Sequence, residues 1–246
     1  MCFLQKLVRK SVGKNARPFC SAVVAAGGAS LRMGGVNKLF EPLLGEPVLV
    51  HTIQVLADSP EIDEIVVSAR QEDIVPISDF CREYGFKKVT KIVRGGDTRC
   101  ESVYNGALAV SEKAELIAVH DGARPLVTEE IIRRVVNAAA SRKAAVPVVP
   151  VSDTVKIVRH GVVVSTPERR ELYAVQTPQV FDAALLKGAL ASALEKKLFI
   201  TDDCMAAEAL GVAVAVTEGS PENLKITTPS DLMAAEAILR ERNEKK

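Results

Sequence analysis

Arg32 and Lys38 stand just beyond a glycine turn, and their spacing is the first sign of chemistry in this chain. The stretch from Ser21 to Phe40 reads SAVVAAGGASLRMGGVNKLF, with Lys38 eleven residues after Gly27. A glycine-rich turn at the end of a short apolar run, Ala22–Ala26, lets backbone N–H groups approach an anion without obstruction. Two cations beyond it suit a polyphosphate whose charge grows during reaction. Two familiar phosphate loops are excluded. The dinucleotide fingerprint fails because Ala29 and Arg32 occupy the second and third glycine positions counted from Gly27. A P-loop fails because Lys38 follows Asn37 and precedes Leu39. The bland alternative is an ordinary strand-to-helix turn with two solvated cations.

Further along lie other groups of the same character. Arg94-Gly95-Gly96-Asp97-Thr98-Arg99, with Ser102 and Asn105-Gly106, falls where a strand hands over to a helix that Thr98 or Asp97 can cap. It reads either as a capped turn or as a base and ribose pocket. In the second reading the Gly95 and Gly96 amides meet a base edge and Ser102 donates its hydroxyl. Asp121, in VHDGARP, ends the most apolar run; a lone carboxylate facing phosphates is a natural Mg²⁺ anchor, since Mg²⁺ keeps waters and takes one or two carboxylates. Arg124 can hold that loop through carbonyls. His120 suits acid–base work or a packed, loop-fixing role, while His51 reads as helix surface and His160 as a hairpin turn. Thr154, Lys156, Arg169, Thr177, Thr201 and Lys225 bring hydroxyls and separated cations that suit a second, smaller anion such as a sugar monophosphate.

These residues need a scaffold. Apolar runs at Ala22–Ala26, Ile65–Ser68, Val89–Val93, Leu116–Val119 and Ala145–Val149 alternate with helical patterns near Val48–Ala57, Asp73–Tyr84, Arg99–Val110 and Glu129–Ala140. Continuous runs suit strands covered on both faces, hence a mostly parallel sheet in a three-layer α/β sandwich. Ligands collect beyond the carboxyl ends of such strands, where the glycine loop, Gly95-Gly96-Asp97 and His120-Asp121 fall. The alternation then breaks. Ser152–Val158 and Gly161–Ser165 flank a hairpin signal at Arg159-His160-Gly161, and residues 151–176 read as an arm too poor in apolar surface to fold alone. Such an arm suits packing on a second subunit. Helices at Asp182–Leu194 and Asp202–Leu210, a strand at Val212–Val216 and a helix at Ser230–Arg242 complete the order.

Composition narrows the class. With 246 residues, 48% of them hydrophobic, the chain suits one large domain, residues 19–246. The 32 basic and 31 acidic side chains nearly cancel, against a broad nucleic-acid-binding face. Five cysteines without C-x-x-C spacing read as free thiols in a reducing cytoplasm, not a zinc site. Residues 1–18 read as a basic extension, expected to be flexible, with Lys6, Arg9, Lys10, Lys14 and Arg17 and no acid. Neither a signal-peptide core nor a membrane span is present in it. A plastid presequence, a flexible tail and an over-called start codon are the readings it leaves open.

The glycine loop resembles the signature loop of sugar-nucleotide pyrophosphorylases and related nucleotidyltransferases. The whole motif order from Ser21 to Leu239 resembles the 2-C-methyl-D-erythritol 4-phosphate cytidylyltransferase family. It is carried by AAGGASLRMGGVNKLF, RGGDTRCESVYNG, VHDGARP, VPVSDTVK, ERRELYAVQTPQVF, TDDCMAAE and NLKITTPSDL. The resemblance implies a Rossmann-like fold of the nucleotide-diphospho-sugar transferase type, with Mg²⁺. It implies cytidylyl transfer from CTP to methylerythritol 4-phosphate in isoprenoid biosynthesis. Arg32 and Lys38 would stabilise transition-state charge. Ala25, Ala26 and Gly27, with Gly96, Asp97 and Ser102, would hold the CTP, and Asp121 would sit by the metal. Thr154, Arg169, Thr177, Thr201 and Lys225 would position the acceptor phosphate. The arm would cross to the partner of a homodimer, so that Arg169 serves the neighbouring site. Two departures stand out: four residues separate Gly27 from Arg32 where three are common, and Asn37-Lys38-Leu39-Phe40 replaces a frequent Pro-Lys-Gln-Tyr. A ribitol 5-phosphate cytidylyltransferase and a non-catalytic nucleotide-binding protein are the rivals; a nicotinamide oxidoreductase lacks its fingerprint.

Overall fold

The computed structural model describes residues 17–28 and 37–245. Strand β1 (Cys20–Ala26) precedes the short paired strands β2 (Pro42–Leu43) and β3 (Glu46–Pro47), which lead to helix α1 (Val48–Asp58). Next come β4 (Glu64–Ala69), α2 (Ile74–Glu83), β5 (Val89–Arg94), α3 (Arg99–Ala109), β6 (Leu116–Asp121), α4 (Glu129–Arg142) and β7 (Ala144–Pro150). The hairpin β8 (Ile157–Arg159) and β9 (Val162–Ser165) follows, then β10 (Tyr173–Val175), β11 (Gln179–Asp182), α5 (Ala183–Glu195), α6 (Asp203–Glu208), β12 (Ala215–Glu218) and α7 (Pro229–Glu244).

The main sheet runs β10-β7-β11-β6-β1-β4-β5, with β12 also beside β7. β6, β1, β4 and β5 are mutually parallel, so the expected α/β sandwich forms. Successive side chains of a strand point to opposite faces. Ala22, Val24 and Ala26 of β1 therefore join one core, with α1, α2 and α4, while Val23 joins the other, with α3, α5 and α6. Side chains close the helix starts: Thr98 caps α3 by accepting from the Glu101 N–H, and Thr128 and Asp182 do the same for α4 and α5. Thr228 and Asp231 form a reciprocal capping box on α7, with Pro229 at its first position.

Several expectations shift. β11 was not expected; it runs antiparallel between β6 and β7, and its last residue, Asp182, is where the sequence places a helix start. Residues 173–175 of the expected arm belong to the main sheet as β10, antiparallel to β7, so the projecting part is shorter than 151–176. That part pairs within itself, as a separate two-stranded sheet. The strand expected at Val212–Val216 begins only at Ala215, where pairing with Ala145 starts. The extension expected over residues 1–18 lies outside the described residues up to 16. Arg17 is already tied to the domain by a two-pronged pair to Asp63, at 2.7 Å on each prong.

Candidate active site

The strand ends are level, and this sets the site. Ala26 pairs with Ala69, Ala69 with Arg94, and Ala25 with Asp121. β1 lies between β4 and β6, so the chain order reverses beside it and opens a crevice at the carboxyl ends, the usual ligand site of such sheets. α3 is drawn close to this edge because Gly106 has no side chain; a Cβ there would sit 2.5 Å from Val23 Cγ1. Close packing fixes the first turn of α3, which carries Arg99 and Ser102.

Two cavities meet in the crevice. One, of about 290 Å³, is lined by Ala25, Gly27, Lys38, Gly96, Asp97 and Ser102 among others. The second, of about 400 Å³, runs past Thr177, Gln179, Thr201 and Asp202. Asp121, Arg99 and Lys225 line both. Ala26 does not line the first: its methyl is buried in the core on the α1 side. The Gly95 and Gly96 amides differ from expectation too. The first donates to the Ala69 carbonyl at 2.8 Å, the second to Ser102 Oγ at 3.0 Å. Ser102 in turn donates within the turn, 2.9 Å from the Thr98 carbonyl. Both amides and this hydroxyl are thus engaged within the turn, the hydroxyl lying 3.2 Å from the Gly96 carbonyl as well.

Asp121 sits among three cations from three segments. Lys225 Nζ is 2.9 Å and Arg124 Nε 3.4 Å from Oδ2, and Arg99 Nη2 is 3.8 Å from Oδ1. Burial by itself would raise this carboxyl, but Lys225, Arg99 and Arg124 outweigh it and hold it well below the usual carboxylate range. Arg124 also donates to the Asn223 carbonyl at 2.6 Å, the loop-holding role read from the sequence. Asn223 further donates to Gln176 and to the Thr177 carbonyl, so the segment bearing Lys225 is fastened to the base of β11.

His120 is loop-fixing. It is fully buried, and burial pushes its pKa down to about 4. Nε2 faces the Arg124 carbonyl at 3.1 Å, which can only accept, so Nε2 carries the proton and Nδ1 accepts from the Thr177 hydroxyl at 3.0 Å. Thr177 Oγ1 accepts in turn from the Asp121 N–H at 3.1 Å. Of the expected acceptor residues, Thr177, Thr201 and Lys225 line the second cavity, while Thr154 and Arg169 stand exposed on the arm, Arg169 donating to the Ser152 carbonyl at 3.1 Å. Arg32 lies outside the described residues. His51 is half-buried, donating to the Leu43 carbonyl at 2.7 Å, whereas it was expected on the helix surface. Sequence reasoning gave Arg99 and Asp203 no role; both sit inside quoted motifs, and nothing local marks them as partners.

A crevice at the switch point, walled by a glycine loop, a lysine and a cation-ringed aspartate, is that of an α/β nucleotidyltransferase. The sequence profile of the 2-C-methyl-D-erythritol 4-phosphate cytidylyltransferase (IspD) family matches residues 20–241. The chain belongs to this family. It is 44% identical over 226 residues, 92% of this chain, to the Halalkalibacterium halodurans protein of that name, and covers 99% of that relative. Among solved structures, the 4-diphosphocytidyl-2C-methyl-D-erythritol synthase of Anaerococcus prevotii superposes with a TM-score of 0.81 at 32% identity, over 91% of this chain and 96% of that one. The 2-C-methyl-D-erythritol 4-phosphate cytidylyltransferase of Thermus thermophilus does so with a TM-score of 0.75 at 34% identity, over 90% and 99%.

Proposed function

We propose that the chain transfers the cytidylyl group of CTP to 2-C-methyl-D-erythritol 4-phosphate, releasing pyrophosphate, as a step of isoprenoid precursor synthesis. The observation that carries this reading is the meeting of two cavities at Asp121, Arg99 and Lys225, one walled by Gly27, Gly96 and Lys38 and one by Thr177 and Thr201. CTP occupies the first. Carbonyl oxygens of the Gly95-Gly96 turn suit the exocyclic amine of cytosine, a donor. The acceptor occupies the second, its phosphate toward Lys225 and its polyol toward Thr177 and Thr201.

In the reaction an acceptor phosphate oxygen attacks the α-phosphorus of CTP, the new O–P bond forming as the bond to the β-phosphate oxygen breaks. A phosphate monoester is largely ionised near neutral pH and has no proton that must be removed. The site accordingly offers no general base: His120 is neutral, buried and bonded at both nitrogens. Catalysis rests on holding two mutually repelling anions in line and on countering the charge that develops. Lys38, with Arg32 from the same loop, supplies that counter-charge at the triphosphate. Asp121 is ionised and lines the nucleotide cavity, but Lys225, Arg99 and Arg124 already share its carboxylate, so it would be one ligand of a Mg²⁺ held chiefly through phosphate oxygens and water. Such an ion would neutralise phosphate charge beside Asp121.

The working unit in this reading is a homodimer. Val158, Val162, Val163 and Val164 of the hairpin are each more than half exposed, a surface that suits burial against a second copy. Arg169 and Thr154 would then reach the neighbour's acceptor cavity. A cytoplasmic setting suits the free thiols of Cys20, Cys81, Cys100 and Cys204. Among the described residues no helix is long and apolar enough to cross a membrane. The test is turnover with CTP against a panel of polyol phosphates. Methylerythritol 4-phosphate should give the highest kcat/KM; preference for ribitol 5-phosphate, or no turnover with any member, overturns the reading.

A further inference from the structure

One buried ion pair joins the two cavities. Arg99 opens α3, directly after the turn on the nucleotide side, and Asp203 opens α6, directly after Thr201-Asp202 on the other side. The guanidinium grips the carboxylate with both arms, Nη1 to Oδ1 at 2.9 Å and Nη2 to Oδ2 at 2.8 Å. Asp203 is fully buried and is itself held in place. Gln179 Oε1 accepts from the Asp203 and Cys204 N–H groups at 3.0 and 3.1 Å, and Gln179 Nε2 donates to Asp202 at 3.0 Å. Arg99 lines both cavities, and its Nη2 also faces Asp121 Oδ1 at 3.8 Å.

As a staple this pair would be a weak device, because the desolvation of two ions offsets much of their attraction. As a mount it is effective. Two of the five guanidinium N–H groups are fixed by Asp203, which leaves others in a set orientation toward the crevice. A cation already oriented needs no reorganisation when two phosphates are brought together. Lys225, on a flexible stem, cannot supply that alone. We propose that Arg99 contacts phosphate oxygens of both substrates where the cavities meet, with Asp203 as the positioning residue that sets its orientation. This rests on the functional reading above, and it adds a residue that joins the two substrate sites.

The decisive variant is the neutral pair, Arg99→Gln with Asp203→Asn, which keeps hydrogen-bonding groups and leaves no buried charge without a partner. It should melt close to the parent, while KM for CTP and KM for the acceptor phosphate each rise about tenfold or more, the loss expected of a charged hydrogen bond. CTP affinity by calorimetry should weaken by a similar factor, a reading that does not depend on turnover. If the double variant does not fold, Arg99→Lys, which leaves Asp203 a cationic partner, is judged on the same readings and should raise both KM values at least threefold. A folded variant with kcat, both KM values and CTP affinity within twofold of the parent makes the pair a structural staple and overturns the proposal. A shift in one KM alone overturns the shared role. If the parent turns over no polyol phosphate, the functional reading fails, and the CTP titration still decides whether Arg99 meets the nucleotide.

Discussion

Replacing Asp121 by Asn should weaken the fold and strengthen the grip on pyrophosphate at the same time. At 2.9, 3.4 and 3.8 Å, each of the three cations attracts the carboxylate by about 4–6 kcal/mol gross at an effective dielectric constant near 20. Desolvation cancels most of this, and Lys225, 38% exposed, can turn to water. Arg99 keeps Asp203 as a partner. The net loss is then about 2–4 kcal/mol, or a fall of roughly 5–15 °C in Tm for a chain of this size. The five ionised groups Arg99, Arg124, Lys225, Asp121 and Asp203 sum to +1 in the parent and to +2 in the variant. Inorganic pyrophosphate in metal-free buffer should therefore bind the variant about tenfold more tightly, equivalent to about 1.4 kcal/mol. It should also restore part of the lost Tm by mass action. Differential scanning calorimetry with and without pyrophosphate, in chelator, reads both effects. A variant that melts like the parent, or that binds pyrophosphate more weakly, would show that the carboxylate does not restrain these cations, and the electrostatic account of the crevice would fall.

Three further expectations are open to direct measurement. Lys38→Ala should lower kcat by roughly a hundredfold while weakening CTP binding far less, since its charge matters most as charge develops; equal losses in both would make it a binding residue only. Glu64, buried at the amino-terminal end of β4, is pushed up by burial but held down more strongly by bonds from Ser21, Ser111 and Thr90, so its pKa is lowered. Its contribution is complete above pH 4.5 and fades as pH falls through the lower folded value, so the stability gap between parent and Glu64→Gln should close across that window in urea titrations; a gap independent of pH would refute this. For the arm, mixing inactive Lys38→Ala with inactive Arg169→Ala under demonstrated subunit exchange should return roughly a quarter of parent activity, because half the dimers are mixed and half their sites are intact. No return would mean that Arg169 serves its own chain.

The parallel half of the fold is legible because its strands are continuous apolar runs separated by helical periods, a pattern that survives without tertiary context. β11 is not legible. Gln179 and Asp182 at its ends are polar, and the reason lies elsewhere: Gln179 is buried to clamp the α6 entry, and Asp182 caps α5. β10 was hidden for a similar reason. Tyr173 and Val175 are exposed and look like arm, yet their backbones pair with Pro150 and Val148.

The candidate site divides along the same line. Motifs that act through their own neighbours could be read directly: the Thr98 cap and the strand-end carboxylate. Relations between motifs could not. The Asp121 carboxylate can be read from His-Asp-Gly-Ala-Arg, but its partners Arg99 and Lys225 cannot, because they approach it from segments 22 and 104 residues away. The same distance hides the Arg99–Asp203 grip, which spans 104 residues. Sequence shows how many charges a site holds, and folding decides which of them already answer one another. In this crevice that difference matters chemically. A cation neutralised and mounted by a buried aspartate is a fixed dipole, one facing a shared aspartate is exchangeable, and a reaction that joins two anions needs both kinds: the fixed one to hold the geometry, the exchangeable one to follow the charge as it moves.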